Sequence, residues 1–234
     1  MWRSAHAPAF LHAVTGPATP PAGAIAYRGG GGSVYLNITN RCSCACEFCL
    51  REWTDGVHGE NLVLDHEPEL DELTQAIELE FLDGPADEVV FCGFGEPTMR
   101  LDLVLAVTEW LHLRRIRSRL DTNGHGALLN PGVDVPAALA AAGLDAVTVS
   151  LNAADPESYD LICRPTFAKS YRAVLQFAEQ CLRQDIETTL TAVDFPGADL
   201  EGCAAIAGAM GAGFRARGLA SPRGRDHAEK GEAR

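Results

Sequence analysis

The sequence is poor in positive charge and has no long apolar run. Its 234 residues include 32 acidic side chains against 19 basic ones, only two of them lysines, for a formal net charge of −13. A surface for nucleic acid needs clustered lysine and arginine to neutralise phosphates, so direct binding of nucleic acid is not expected. No apolar run approaches the roughly 20 residues of a membrane-spanning helix, and proline and histidine interrupt residues 1–26, where a signal peptide would be apolar. We therefore expect a cytoplasmic protein without membrane contact.

Cysteine is unusually abundant for such a protein. Four of the eight cysteines lie within eight residues of one another, and the other four are scattered. Disulfides are rare in the cytosol, so this distribution predicts one metal or cluster site, with the scattered cysteines mostly buried as thiols. The clustered cysteines are Cys42, Cys44, Cys46 and Cys49, and the scattered ones are Cys92, Cys163, Cys181 and Cys203.

The length suits one domain with an ordinary hydrophobic core. Residues 1–32 are rich in alanine, proline and glycine, and we expect a loose leader there that ends in a possible short hairpin around Gly29–Gly32. Residues 33–217 should form the core domain. Residues 218–234 are polar and are expected to be a disordered tail.

Predicted strands and helices alternate through the core domain. The strands cover residues 34–39, 88–91, 119–122, 146–151, 187–193 and 214–217. The helices cover residues 68–82, 101–117, 136–142 and 170–183, with a short helical turn at Asp155–Pro156 and a last helix between Asp199 and Gly211. This alternation indicates an α/β fold with a parallel sheet. Six strand–helix units are too few for an eight-stranded barrel, which leaves a partial barrel or an open doubly wound sheet.

The first predicted strand leads directly into a cysteine motif. Cys42, Cys46 and Cys49 form a C-x₃-C-x₂-C pattern on one short loop. Thiolates are soft ligands that suit zinc or iron–sulfur clusters, and three of them leave one iron of a [4Fe–4S] cluster open to a small molecule. A structural zinc ion normally takes four ligands in two separated pairs, so zinc here would need Cys44 or a distant cysteine.

Polar and glycine-rich segments follow the next three strands. Residues 92–98 read Cys-Gly-Phe-Gly-Glu-Pro-Thr, residues 121–124 read Asp-Thr-Asn-Gly, and the fourth strand ends in Ser150 and Asn152, which alternation places on one face. Each segment alone is compatible with an ordinary turn. Ligands of parallel sheets bind beyond the carboxyl ends of the strands, and all these segments lie there in succession.

The cysteine motif, with Phe48 before its third cysteine, resembles the signature of the radical-SAM superfamily, and the later segments resemble that superfamily's cofactor-binding strand ends. The resemblance covers residues 33–217 and implies a partial (βα)₆ TIM-like barrel. It also implies a [4Fe–4S] cluster on the three cysteines, where S-adenosylmethionine is reductively cleaved to a 5′-deoxyadenosyl radical that abstracts hydrogen from an unknown substrate. The residues implied to touch S-adenosylmethionine are Phe48, Gly93, Gly95, Glu96, Asp121, Ser150 and Asn152.

A narrower resemblance is to the radical-SAM proteins associated with TatD-type nucleases. It rests on residues 35–42, 89–98, 149–153 and 163–165. It implies a possible functional link to such a nuclease. The superfamily resemblance implies a flavodoxin or ferredoxin as electron donor.

Alternatives stay open at this point. Residues 121–124 are also found in glycyl-radical enzyme activases, and the small size allows a deazapurine- or pterin-forming synthase. From another class, the chain could be a non-catalytic iron–sulfur or zinc module that serves a partner.

Several single residues are weaker candidates for a functional role. Arg164 either binds an anion or forms a surface ion pair. Cys44 is expected to be a spectator, and Cys92 is expected to be a buried thiol. The histidines His58, His66 and His125 are expected on solvated loops.

Overall fold

The computed structural model describes residues 23–219. Its strands are β1 (Ala26–Arg28), β2 (Val34–Leu36), β3 (Gly56–Val57), β4 (Glu60–Asn61), β5 (Val89–Phe91), β6 (Ser118–Thr122), β7 (Ala146–Ser150), β8 (Glu187–Asp194) and β9 (Gly213–Gly218). Its helices are α1 (Leu70–Leu82), α2 (Leu101–Leu113), α3 (Gly126–Leu129), α4 (Val135–Ala142), α5 (Pro156–Cys163), α6 (Ser170–Arg183) and α7 (Leu200–Met210).

Seven of these strands form one sheet in the order β1-β2-β5-β6-β7-β8-β9. The pairs from β2 to β9 are all parallel, and β1 is antiparallel to β2 at the edge. Helical crossovers connect the parallel strands, as the geometry of such pairs requires. The predicted α/β class and the partial barrel of six parallel strands are therefore confirmed.

The core lies between the sheet and its helices. All three residues of β5 are fully buried, which is typical of a parallel strand covered on both faces. Helix α6 turns Val174, Phe177 and Cys181 inward at helical spacing. Cys203 on α7 and Cys163 at the end of α5 are also buried, so three of the four scattered cysteines are core thiols as predicted.

Several predicted boundaries shift for local reasons. The first strand ends at Leu36 rather than residue 39, and the buried Asn37 side chain that follows it donates to the carbonyls of Ala24 and Leu62. Helix α1 begins at Leu70 rather than residue 68, because Glu69 and Glu72 form a capping box.

Two helices differ more from their predictions. Helix α2 ends at Leu113 instead of continuing to residue 117, and Arg115 then takes a left-handed backbone with φ of 59°. The turn predicted at Asp155–Pro156 is the beginning of an eight-residue helix, α5, which Asp155 caps through the Ser158 N–H.

The expected hairpin is present, since β1 and β2 pair across a 3₁₀ turn at Gly30–Gly32. The predicted loose leader and polar tail fall mostly on residues 1–22 and 220–234, outside the described residues. Within residues 23–219, no helix is long and apolar enough to cross a membrane.

Candidate functional site

A cavity of about 260 Å³ opens at the carboxyl ends of the parallel strands. In parallel barrels and sheets this end carries the ligand site, because the connecting loops converge there. The cysteine loop after β2 forms one wall. The lining residues are Cys42, Phe48, Cys49, Leu50, Cys92, Gly93, Phe94, Gly95, Glu96, Asp121, Thr122, Asn123, Ser150, Val193, Arg217 and Gly218.

The cysteine loop is fastened to the end of α5 through its backbone. The Ala45 N–H donates to the Cys163 carbonyl at 3.2 Å, and the Glu47 N–H donates to the Ile162 carbonyl at 3.0 Å. A further bond closes the turn between the last two motif cysteines, from the Cys49 N–H to the Cys46 carbonyl at 3.1 Å. These bonds fix the segment from Ala45 to Cys49 against the end of α5.

The motif thiols differ in direction. Residues Cys42 and Cys49 line the cavity, whereas the Cys46 thiol lies beside the thiols of Cys44 and Cys163. Burial raises the pKa of the Cys42 thiol to about 11, so this thiol is protonated at neutral pH until a metal displaces the proton. The contact between the Cys44 and Cys46 thiols also shows that Cys44, which was expected to be a spectator, touches a proposed ligand.

The donor set fits an iron–sulfur cluster better than a single ion. Within residues 23–219, no three His, Cys, Asp or Glu side chains converge closely enough to hold one metal ion. The thiolates around a cubane occupy separate corners and stand further apart than those around one ion. Two cavity-lining cysteines, Cys42 and Cys49, and a third on the same loop, Cys46, supply thiolates for three corners of a cubane.

The glycines after β5 allow that loop to pack on the cysteine loop. A Cβ atom on Gly95 would lie 2.2 Å from the Thr39 carbonyl oxygen and 2.6 Å from that of Arg41. The neighbouring Glu96 N–H donates to the same Arg41 carbonyl at 2.8 Å. Glycine is thus required here for the contact between two loops.

The Glu96 carboxylate is buried and ties two strand ends together. One oxygen accepts from the Thr98 N–H at 3.0 Å and from the hydroxyls of Thr98 and Thr122, both at 2.7 Å. The other oxygen accepts from the Asn123 N–H at 2.7 Å. Burial raises the pKa of this carboxyl, and the hydrogen bonds oppose that change. Glu96 borders the cavity, but protein donors already engage both of its oxygens.

Asp121 and Ser150 also line the cavity, and each has a charged neighbour. Asp121 is paired with Arg119 on the same strand. The Ser150 hydroxyl accepts from a terminal nitrogen of Arg217 at 3.3 Å. Phe48 borders the cavity too, with its ring 6.0 Å from the ring of Phe195.

Asn152 is the predicted contact residue that the structure places elsewhere. It lies past the end of β7, and its left-handed backbone, with φ of 61°, breaks the alternation that would align it with Ser150. Its amide nitrogen donates to the Cys163 thiol at 3.7 Å, and its amide oxygen accepts from the Val193 N–H at 3.3 Å. It lines a separate cavity of about 280 Å³ rather than the one at the cysteines.

A buried polar chain behind the cysteine loop was not foreseen. His125 is fully buried, which corrects the expectation of a solvated loop histidine. Its Nδ1 lies 2.9 Å from the Ser43 hydroxyl, and its Nε2 lies 2.9 Å from the Tyr159 hydroxyl. The Asn123 amide donates to the same Ser43 hydroxyl at 2.9 Å. Burial lowers the pKa of His125 to about 4, so it is neutral at physiological pH.

The contacts and exposure of Arg164, His58, His66 and Cys92 show where the structure places these weaker candidates. Arg164 forms an exposed ion pair with Glu47, the alternative to anion binding. His58 is exposed, and the exposed His66 lies 2.7 Å from Glu72. Cys92 borders the cavity, and burial raises the pKa of its thiol to about 12.

Comparisons with known proteins identify the fold and the family. The model of the Radical SAM superfamily matches residues 36–207. GTP 3′,8-cyclase 2 of Mycobacterium bovis is 34% identical over 156 residues, which cover 64% of this chain and 38% of that protein. The 7-carboxy-7-deazaguanine synthase of Caulobacter vibrioides is 32% identical over 87 residues, which cover 36% of this chain and 38% of that protein.

Among solved structures, Streptococcus suis SuiB bound to S-adenosylmethionine superposes with a TM-score of 0.62 at 14% identity, over 80% of this chain and 40% of SuiB. At that identity the likeness concerns the fold alone. The chain spans less than half the length of the two curated relatives just described. The family match covers most of the described residues, including the cysteine loop and the cavity-lining ends of β5, β6, β7 and β8, but not that of β9. The chain therefore belongs to the radical SAM superfamily, whose cofactors are a [4Fe–4S] cluster and S-adenosylmethionine.

Proposed function

We propose that this protein is a radical-SAM enzyme that reductively cleaves S-adenosylmethionine. The observation that carries the proposal is the cavity at the strand ends, which Cys42 and Cys49 line on one side. When bound, the cluster and S-adenosylmethionine supply a 5′-deoxyadenosyl radical that removes a hydrogen atom from the substrate.

The chain's own residues would bind and orient these groups. Cys42, Cys46 and Cys49 would hold three irons. The segment from Gly93 to Glu96 would present backbone carbonyl groups to the amino group of S-adenosylmethionine. The other lining residues proposed to position it are Phe48, Asp121 and Ser150. Asn152 drops out of this set because it faces the separate cavity.

The direct test is product formation by the anaerobically reconstituted protein. After reduction with dithionite, addition of S-adenosylmethionine should give 5′-deoxyadenosine and methionine. The Cys42→Ala variant is the matched control and should give neither. Absence of 5′-deoxyadenosine from protein with a full complement of iron and sulfide would refute the proposal in favour of a non-catalytic iron–sulfur module. Zinc in place of iron after anaerobic purification would favour the zinc module.

A second candidate function is chemistry on a purine nucleotide. The similarity to a GTP 3′,8-cyclase at 34% identity favours it among the alternatives. Incubation of the reduced protein with GTP and S-adenosylmethionine tests it. Conversion of GTP in step with 5′-deoxyadenosine formation supports this candidate, and unchanged GTP excludes it.

Three narrower proposals concern context. A flavodoxin or ferredoxin would supply the electron, as radical-SAM enzymes generally require. The thiolate ligands of an oxygen-sensitive cluster suit a reducing compartment, which supports a cytoplasmic location. The motifs at residues 35–42 and 89–98 support membership of the TatD-associated subgroup. Co-purification of a TatD-type nuclease with the tagged protein tests the last proposal, and its absence from a reciprocal pull-down counts against it.

A further inference from the structure

Arg217 is an unusual feature of the cavity wall. It lies near the end of β9, the edge strand, in register with Val193 of β8. Its side chain reaches across β8 to the Ser150 hydroxyl on β7. The guanidinium therefore lies over the mouth of the sheet and not in open solvent.

The charge of Arg217 is not neutralised within residues 23–219. No carboxylate of these residues lies within ion-pair distance of it, and its buried Nε has no hydrogen-bond partner among them. The acidic residues of the cavity wall are already engaged, since protein donors hold both oxygens of Glu96 and Arg119 pairs with Asp121. Arg217 is the single cation among the lining residues.

An unpaired arginine in a cavity wall is unexpected in a chain with 32 acidic residues. A partly buried guanidinium with a free donor is costly unless a ligand completes its hydrogen bonds. Its fork of N–H donors matches the two oxygens of a carboxylate or a phosphate.

Arg217 and the cysteine loop contribute to the same cavity from different strands. The cysteine loop follows β2, whereas Arg217 stands on β9, with β5, β6, β7 and β8 between them in the sheet. A ligand at Arg217 therefore contacts the cavity wall on the β9 side.

From this geometry we propose that Arg217 binds an anionic group of the substrate. The substrate class is then a small molecule that carries a carboxylate or a phosphate. The proposal rests on the proposed function, because it assigns the substrate side of that same cavity.

The test is anion binding to the unreduced protein with its cluster intact. The probes are GTP, inorganic phosphate and citrate, measured by calorimetry beside S-adenosylmethionine. Arg217→Gln should weaken binding of the preferred anion by about tenfold or more, while Arg217→Lys should lose less. The affinity for S-adenosylmethionine should stay within about twofold of the unaltered protein, because the inferred site is not the cofactor's.

Arg215→Gln is the matched control, since Arg215 has the same charge on the same strand but lines a cavity at the other end of the sheet. It should leave both affinities unchanged. Equal anion binding by Arg217→Gln and the unaltered protein, or no saturable binding of any of the three probes, would overturn the inference. A comparable loss of S-adenosylmethionine binding would overturn it too and assign Arg217 to the cofactor.

The outcome is distinguishable from failure of the proposed function. Formation of 5′-deoxyadenosine is measured on the same preparation after reduction. Protein that forms 5′-deoxyadenosine but binds no anion contradicts only the Arg217 inference. Protein that binds an anion through Arg217 but forms no 5′-deoxyadenosine contradicts only the proposed reaction. Unchanged iron content and circular dichroism in Arg217→Gln confirm that the variant is folded.

Discussion

The two ends of the parallel sheet use polar residues in opposite ways. At the amino ends of the strands, a cavity of about 470 Å³ is lined by charges that largely neutralise one another. Arg119 contacts Glu88 at 2.9 Å, and Arg117 contacts Glu187 at 2.6 Å. At the carboxyl ends, by contrast, two free motif cysteines line the cavity, and so does Arg217, which has no ion-pair partner among the described residues.

This difference indicates that polar residues at the amino ends stabilise the fold, whereas those at the carboxyl ends bind ligands. At the amino ends, Arg117 and Arg119 are paired with Glu88 and Glu187, and Arg215, the remaining cation of that cavity, is exposed to solvent. Unpaired donors and thiols at the carboxyl ends have hydrogen bonds or metal bonds still to make. The division agrees with the general placement of active sites in parallel barrels. Substitutions at the two ends should therefore change different measurements.

The largest expected effect distinguishes two neighbouring cysteines of the carboxyl end. Cys46→Ala should reduce the iron and sulfide content after reconstitution to background, because it removes a proposed ligand. Cys44→Ala should retain the cluster, since Cys44 lies outside the C-x₃-C-x₂-C pattern.

The buried core thiol Cys203 supplies the control variant, Cys203→Ala, which should also keep the cluster. If Cys44→Ala loses the cluster and Cys46→Ala retains it, the ligand set is wrong. The contact between the Cys44 and Cys46 thiols makes this pair the sharpest comparison on the loop.

Next in size is a pH effect on the stability of the cluster-free chain. The folded pKa of His125 is about 4, below its ordinary 6.5, because the ring is buried. Between these values the unfolded chain binds more protons, so the free energy of unfolding should rise with pH across this window. The contribution is about 3 kcal/mol, lost as pH falls from about 6.5 to 4.

Urea denaturation at a series of pH values, under reducing conditions, measures this effect. His125→Gln should flatten the pH dependence between pH 4 and 6.5. The exposed His58 provides the control, and His58→Asn should keep the original slope. Equal slopes in His125→Gln and the unaltered chain would contradict a buried neutral His125.

A smaller effect is expected at Glu96. Each of its oxygens accepts from a backbone N–H, so the amide nitrogen of Glu96→Gln must face a donor in either orientation. The variant should lose about 2 kcal/mol of unfolding free energy in the cluster-free chain. Glu78 is exposed, and Glu78→Gln should change stability little. A Glu96→Gln variant as stable as the unaltered chain would show that the carboxylate does not hold the strand ends together.

The smallest effect belongs to the amino ends. Arg117 and Glu187 are both substantially exposed, with side-chain accessibilities of 43% and 67%. Solvent screens such a pair, so Arg117→Gln should cost less than about 1 kcal/mol. Iron content and 5′-deoxyadenosine formation should not change. A loss of cluster or activity in this variant would break the division between the two ends.

The site could be predicted from sequence where its signals are local. Each of these signals stands at the end of a strand, and the ends of parallel strands meet at one edge of the sheet. They are the cysteine loop after β2, Gly93 and Gly95 after β5, and Ser150 at the end of β7. The two ends of α7 could be predicted in the same way, from its N-cap residue Asp199 and its C-cap residue Gly211.

Contacts between distant residues were not predictable in this way. Ser43 and His125 are 82 residues apart, and Arg217 and Ser150 are 67 apart. Asn152 was misplaced because alternation holds only inside a strand, and β7 ends at Ser150. Cys163 looked like an isolated thiol, although the fold brings it beside Cys46.

Three thiolates at the carboxyl ends of the strands would hold a cluster with one iron open to S-adenosylmethionine. Electron paramagnetic resonance of the anaerobically reconstituted, dithionite-reduced protein tests it most directly. We expect a signal from a reduced [4Fe–4S] cluster whose spectrum changes when S-adenosylmethionine is added. A cluster signal that S-adenosylmethionine leaves unaltered, or no cluster signal from iron-loaded protein, would contradict this account.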